Sequence, residues 1–179
     1  GFSLGGNVTL KMAGEDGSKP SGHLDSVVAV SPPVDLKASS LRMAEPQNRL
    51  FERVFVNAIA DDVKLLMKLY PQEFGAIDLP RRPTIHAFEE LIATRRAGFA
   101  SAEEYYQKCS SIHFIPEIKV PTLILSSIDD PVVDAKALQK VEHGNNVDLL
   151  LTEKGGHVGF LGWGTNYNEV RWSDQAVAR

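Results

Sequence analysis

The 179-residue chain sets 19 Lys and Arg against 23 Asp and Glu, a formal net charge of −4, and is 43% hydrophobic and 23% charged. That balance excludes a disordered tail and fits a globular domain hiding roughly 70% of the surface its unfolded chain exposes. The basic residues are scattered, only Arg81-Arg82 and Arg95-Arg96 being adjacent, which argues against nucleic acid as a partner; the single Cys109 excludes an internal disulfide or a multi-cysteine zinc site, and no apolar run approaches the ~18 residues of a membrane span. With no signal peptide in view, the expected setting is cytoplasmic or peripheral to a membrane.

The chain opens Gly1-Phe2-Ser3-Leu4-Gly5-Gly6, without an initiator Met and without a strand ahead of a motif that ordinarily follows one, so it is expected to be a piece of a longer protein. Val8, Leu10, Met12 and Ala13 then alternate with polar residues, predicting a short helix over Asn7 to Glu15 with a glycine-rich exit through Gly14, Gly17 and Pro20. Ser26 to Ser31 is a continuous β-branched run stopped by Pro32-Pro33, the pattern of a strand covered on both faces of a parallel sheet. From Leu36 to Glu117 no strand pattern occurs. Leu50, Phe51, Val54 and Phe55, then Val63, Leu66, Met67 and Tyr70, then Phe88, Leu91 and Ile92 recur at helical spacing and predict a helical insert. Strands resume at Pro121 to Ser127 and Val147 to Thr152, separated by a helix over Ala135 to Glu142 that Gly144 would close, and a last helix runs from about Asn168 to the end. Alternating strands and helices predict a parallel α/β sheet, with residues 1–35, 36–117 and 118–179 as its successive parts.

Gly1-x-Ser3-x-Gly5 fits a nucleophile elbow, a strained turn whose small flanking residues let the backbone pass close by and lift the hydroxyl clear of the sheet. A helix follows directly, and its N-terminal N–H groups could stabilise an oxyanion. The alternative is a glycine-rich loop in which Ser3 merely caps a helix. A serine nucleophile needs a base, and the base an orienting carboxylate. Asp129-Asp130-Pro131 follows one predicted strand and Gly155-Gly156-His157 follows the next, both just past carboxyl ends, the rim where sites assemble in open parallel sheets. Singly, an Asp there is often a helix cap and a loop His is often mere surface. Together, in the order Ser, Asp, His, they predict a hydrolytic triad. His23, His86, His113 and His143 have no ligand-like spacing, so neither metal nor cofactor is expected, and Cys109, lacking a nearby base, reads as a small apolar residue.

The blocks GFSLGGNVTLKMAGE, AVSPPVDL, AGFASAEEYYQKCSS, IKVPTLILSSIDDPVV and TEKGGHVGFL run along nearly the whole chain and resemble the YheT-like branch of the α/β-hydrolase family. The resemblance implies the C-terminal part of an α/β-hydrolase fold, a parallel sheet with a helical lid insert. It implies a serine esterase or lipase acting on small-molecule carboxylic esters with an apolar acyl chain. Ser3 would be the nucleophile, His157 the general base and acid, and Asp130, immediately before the proline, the orienter, with Asp129 the second choice. The Leu4 backbone N–H would be one oxyanion donor, the other coming from an earlier loop that this sequence lacks. The family reads Phe-Asp-Asp where this chain has Phe88-Glu89-Glu90, and it shares Ser110-Ser111, for which the sequence offers no chemistry. Phe51, Phe55, Phe88, Phe99, Tyr105 and Tyr106 are candidates to line the lid or to pack its core. An acyltransferase using the same triad, and a non-catalytic binding module, remain open alternatives.

Overall fold

The computed structural model describes residues 1–74, 84–95, 97–162, 173 and 177. Helix α1 (Leu4–Ser18) leads to β1 (Val27–Val30), and then come α2 (Leu36–Met43), α3 (Arg49–Leu69), α4 (Pro71–Phe74), α5 (Ile85–Arg95) and α6 (Ala102–Cys109). The chain returns to the sheet through β2 (Thr122–Ser127), α7 (Ala135–Lys140) and β3 (Val147–Thr152). The helix expected from about Asn168 lies outside the described residues, apart from Ser173 and Val177. Two compact units result, one of Gly1–Ser39 with Tyr106–Arg179, the other of Ser40–Tyr105.

In the first unit the strands form a parallel sheet in the order β1-β2-β3, with Val27 beside Thr122 and Thr122 beside Val147. Gly1 to Ser3 run parallel along the other side of β1: the Val30 amide donates to the Gly1 carbonyl and the Ser3 amide to the Val30 carbonyl, at 2.9 and 2.8 Å. The apolar runs of β1 and β2 form strands because both faces are covered, with Ala29, Ile124 and Leu125 fully buried, whereas β3, at the end of the strand order, leaves Asp148 and Leu150 exposed. Their core continues into α1 through Leu10 and Ala13 and into α7 through Leu138.

Helix α1 begins and ends three residues outside the predicted span, and its glycines are not an exit. A Cβ on Gly14 or Gly17 would overlap the carbonyl oxygens of Phe114 and Glu117, so glycine lets the helix lie against that segment backbone to backbone. Asn7, 2% exposed, secures the approach from one side chain, donating to the Cys109 carbonyl and accepting from the Ser111 amide at 2.9 and 2.8 Å. Ser110 has a structural task too, its hydroxyl accepting from the Leu36 amide at 3.1 Å. Helix α7 starts where Asp134 accepts from the Lys136 amide and stops at Lys140, ahead of Gly144, which is not in the left-handed conformation of a helix-closing glycine.

The second unit is helical and rests on Val56, Val63 and Phe88, with Ile59, Ala60, Met67, Phe74, Ile85 and Leu91 packed around them. Phe88 therefore fills a core, and Tyr106 is buried as well, whereas Phe51 and Phe55 are exposed and Phe99 meets Tyr105 edge to face at 5.6 Å. Glu89 and Glu90 act structurally: Glu89 accepts from the Ser40 hydroxyl at 2.7 Å, and Glu90 accepts from the Ala102 amide at 2.6 Å, where its charge suits the start of α6.

Candidate active site

Ser3 sits at the sharp turn into α1 with φ 47° and ψ −125°, a left-handed conformation that costs a residue with a side chain on the order of 1–3 kcal/mol. It occupies the position of a helix cap, but its hydroxyl caps nothing. The turn is held by its backbone instead, the Gly6 and Asn7 amides both donating to the Ser3 carbonyl. Crowding explains part of the glycine pattern. A Cβ on Gly1 would strike the Gly5 carbonyl and the Thr9 hydroxyl, and one on Gly6 would press on Pro32 at 3.1 Å, whereas Gly5 has open space around its Cβ position, so the tight spots are Gly1 and Gly6 and not Gly5 as the motif suggested.

The Ser3 hydroxyl lies 2.8 Å from His157 Nε2, and His157 Nδ1 lies 2.9 Å from Asp130 Oδ2. A carboxylate only accepts, so Nδ1 donates to Asp130 and Nε2 is left to accept the Ser3 proton. Three side chains that the sequence scatters over 154 positions thus form one hydrogen-bonded chain. Asp130 is fully buried, and its other oxygen accepts from the Val132 and Val133 amides at 2.7 and 2.9 Å, so the carboxylate is satisfied on both sides. The Leu4 amide, at the first position of α1, belongs to the group of helix-start donors that have no acceptor within their own helix.

Asp129 takes a separate job. Its Oδ1 accepts from the Gly156 amide at 2.9 Å, and that hydrogen bond holds its carboxyl below the usual carboxylate range. The Ser127 hydroxyl donates to the Gly156 carbonyl at 2.8 Å, and the Ser31 hydroxyl accepts from the Val158 amide at 3.3 Å. Ser31, Val158 and Phe160 join Ser3 as residues with side chains at positive φ, and Gly156 is left-handed as well. Phe160 is nonetheless buried, its ring against Val30 and Leu125, and a Cβ on Gly155 would touch that ring at 2.7 Å. Ser3 is foreshadowed by its motif and Gly156 by its residue type, but Ser31, Val158 and Phe160 carry no such sequence signal, and a β-branched Val158 there runs against its preference. Cys109 is half-buried, and burial raises its thiol above the ordinary range. Among the described residues no helix is long and apolar enough to cross a membrane.

Comparison with known proteins agrees with this architecture. The chain is 33% identical over 180 residues to the YheT protein of Escherichia coli, covering 99% of this chain and 52% of that protein. It is 30% identical over 195 residues to a monoacylglycerol lipase ABHD2 of Danio rerio, covering 99% and 45%. Among solved structures, an esterase of Pyrococcus furiosus is similar with a TM-score of 0.48 at 17% identity, covering 99% of this chain and 50% of that one. The chain spans about half the length of the curated relatives it matches. The alpha/beta hydrolase fold family matches residues 1–162, and the resemblance to its YheT-like branch holds along the chain. The chain belongs to the α/β-hydrolase family.

Proposed function

We propose that the protein is a serine hydrolase cleaving carboxylic esters of short-to-medium acyl chain through an acyl-enzyme, with Ser3, His157 and Asp130 as its triad. The observation that carries this reading is the unbroken hydrogen-bonded sequence from the Ser3 hydroxyl through the His157 ring to the buried Asp130 carboxylate. His157 Nε2 takes the Ser3 proton as the serine oxygen attacks the ester carbonyl, and the charge that develops on the carbonyl oxygen is met by the Leu4 amide. As the tetrahedral intermediate collapses, the imidazolium returns its proton to the leaving alcohol and the acyl group stays on Ser3. His157 then takes a proton from water as the water attacks the acyl-enzyme carbonyl, and returns it to Ser3 Oγ as the bond between the acyl carbon and Ser3 breaks and the acid leaves. Asp130 holds the ring in the tautomer this needs and balances the imidazolium charge.

The second oxyanion donor is assigned to a part of the whole protein outside these 179 residues. Loss of one such donor typically costs about 10²–10³ in turnover, so the chain alone is expected to be nearly inactive. The helical insert is assigned the lid role expected of residues 36–117. Treatment of the full-length protein with a fluorophosphonate, followed by mass spectrometry, tests the assignment: the adduct is expected on Ser3 and is lost in His157→Ala. A folded protein that takes no label would leave the binding-module reading standing. Adding ethanol to a turnover assay separates transfer from hydrolysis, since ethyl esters form only when an alcohol replaces water in the second half-reaction.

A further inference from the structure

The catalytic proposal needs the imidazole at one place and in one orientation, yet the segment that carries it is poorly suited to hold itself there. Val158 and Phe160 have positive φ, conformations that residues with side chains leave unless they are held, and Gly156 supplies a left-handed step that only glycine takes freely. What supports them comes from the ends of two different strands. Before His157, the Gly156 amide is held by Asp129 at 2.9 Å and the Gly156 carbonyl by the Ser127 hydroxyl at 2.8 Å, both just beyond or at the end of β2. After His157, the Val158 amide is held by the Ser31 hydroxyl at 3.3 Å, from the first residue past β1.

Ser31 is itself fully buried and left-handed at φ 48°, with its amide donating to the Leu125 carbonyl at 2.7 Å. A serine at such a position bears a backbone cost that glycine would avoid, which makes sense if the hydroxyl is what the position supplies.

We propose that Asp129 and Ser31 are positioning residues of the hydrolytic reaction, gripping the backbone on either side of His157 so that its ring stays between Ser3 and Asp130. This rests on the triad reading above and adds to it a division of labour in the Asp129-Asp130 pair, one carboxylate for the ring and its neighbour for the main chain. Both side chains bond the main chain on either side of His157, so their removal is expected to slow chemistry without weakening binding.

The test uses the full-length protein and four variants: Asp129→Ala, Asp129→Asn, Ser31→Gly and the double variant Asp129→Ala with Ser31→Gly. Misplacing a reacting group by about 1 Å can cost on the order of 100-fold, so D129A and S31G are each expected to lower kcat by about 10- to 100-fold with KM unchanged, and to slow fluorophosphonate labelling of Ser3 in proportion. D129N keeps the accepting oxygen and is expected to recover most of the loss. Glycine at position 31 relieves the backbone, so S31G is expected to unfold no earlier than wild type, and its slower labelling then reports the missing hydroxyl rather than a damaged fold. If D129A, S31G and the double variant all label Ser3 as fast as wild type, the positioning role is overturned while the triad stands. If D129N is as slow as D129A, or if KM rises in place of a fall in kcat, the role is likewise overturned. If wild type itself takes no label at Ser3, the triad reading falls and takes this one with it.

Discussion

At the His157 rim, side-chain and backbone polar groups meet at defined distances, and four residues with side chains accept left-handed backbone to keep those meetings. The helical unit of Ser40–Tyr105 follows another principle. It packs around Val56, Val63 and Phe88 and leaves Leu50, Phe51, Val54, Phe55, Leu65 and Leu69 exposed along α3. Hydrogen bonds constrain both distance and angle, while apolar attraction is non-directional and scales with the area buried. The rim should therefore lose function to small polar changes that leave the fold intact, and the helical unit should lose fold to apolar truncation yet tolerate change on its outer face.

The largest effect is expected from Ser3→Ala or His157→Ala. Each should lower kcat of the full-length protein by about 10⁶-fold, since the triad members act as a unit, with the thermal midpoint within a few degrees of wild type. Ester turnover and calorimetry on the same samples check both halves of that statement; a loss below tenfold would mean that the rim is not where the chemistry happens. Asp130→Ala crosses the divide between the two kinds of effect. It should cost about 10⁴ in kcat through the freed imidazole, and also stability, because the Val132 and Val133 amides lose a buried acceptor, at roughly 1–3 kcal/mol for each donor left unsatisfied. Denaturant unfolding measured beside kcat separates the two losses.

In the helical unit the corresponding weak point is Phe88, 2% exposed at the centre of its small cluster. Phe88→Ala should cost about 3–5 kcal/mol through the cavity left behind. Because that cluster is separate from the core around Leu10 and Ile124, amide exchange should accelerate in α3 and α5 by about 10²–10³ and change little in β1 and β2. Equal acceleration in both units would mean that they unfold together and that the contrast drawn above is only geometric.

The sequence disclosed this contrast unevenly. The strands were legible to within a residue because Val27 to Val30 and Leu123 to Leu125 are apolar runs of a kind that covered parallel strands demand, and Leu149 to Leu151 reads the same way although Leu150 is exposed. Asp130 and His157, which the structure brings into one hydrogen-bonded chain with Ser3, could be picked out because each stands just past the end of such a run. What escaped is tertiary in origin. Gly14 and Gly17 read as helix breakers, but the carbonyls of Phe114 and Glu117, a hundred residues further on, are what exclude a side chain there. Ser110 and Ser111 showed no chemistry because their partners, Leu36 and Asn7, lie 74 and 104 residues away. The left-handed Ser31, Val158 and Phe160 could not be foreseen, since local preference opposes them and only the surrounding bonds impose the conformation.

Acid offers a finer test of the rim. Asp129 has its carboxyl lowered from the ordinary 3.8 first of all by the Gly156 amide, with Lys154, 4.0 Å away, as its charged neighbour. A carboxyl with a lowered folded value contributes stability that is complete above its ordinary range and is lost as pH falls through the lowered value. The Gly156 amide resonance should therefore titrate with a midpoint below 3.8, and the step should vanish in Asp129→Asn. A midpoint at the ordinary value would show that the bond to Gly156 is absent in solution and would loosen the rim to the level of an ordinary surface loop.

The smallest effect belongs to the exposed side of α3. Leu50 and Val54, 73% and 62% exposed, lie one turn apart, and neither belongs to the cluster around Phe88. Replacing either with Ser removes little buried surface, so stability should change by no more than about 0.5 kcal/mol, against the several expected for Phe88→Ala on the opposite side of the same packing. Thermal unfolding of Leu50→Ser and Val54→Ser in the full-length protein measures this directly. A loss above about 2 kcal/mol would mean that these side chains are covered in the whole protein, and the helical unit would then owe its stability to burial that reaches beyond its own cluster.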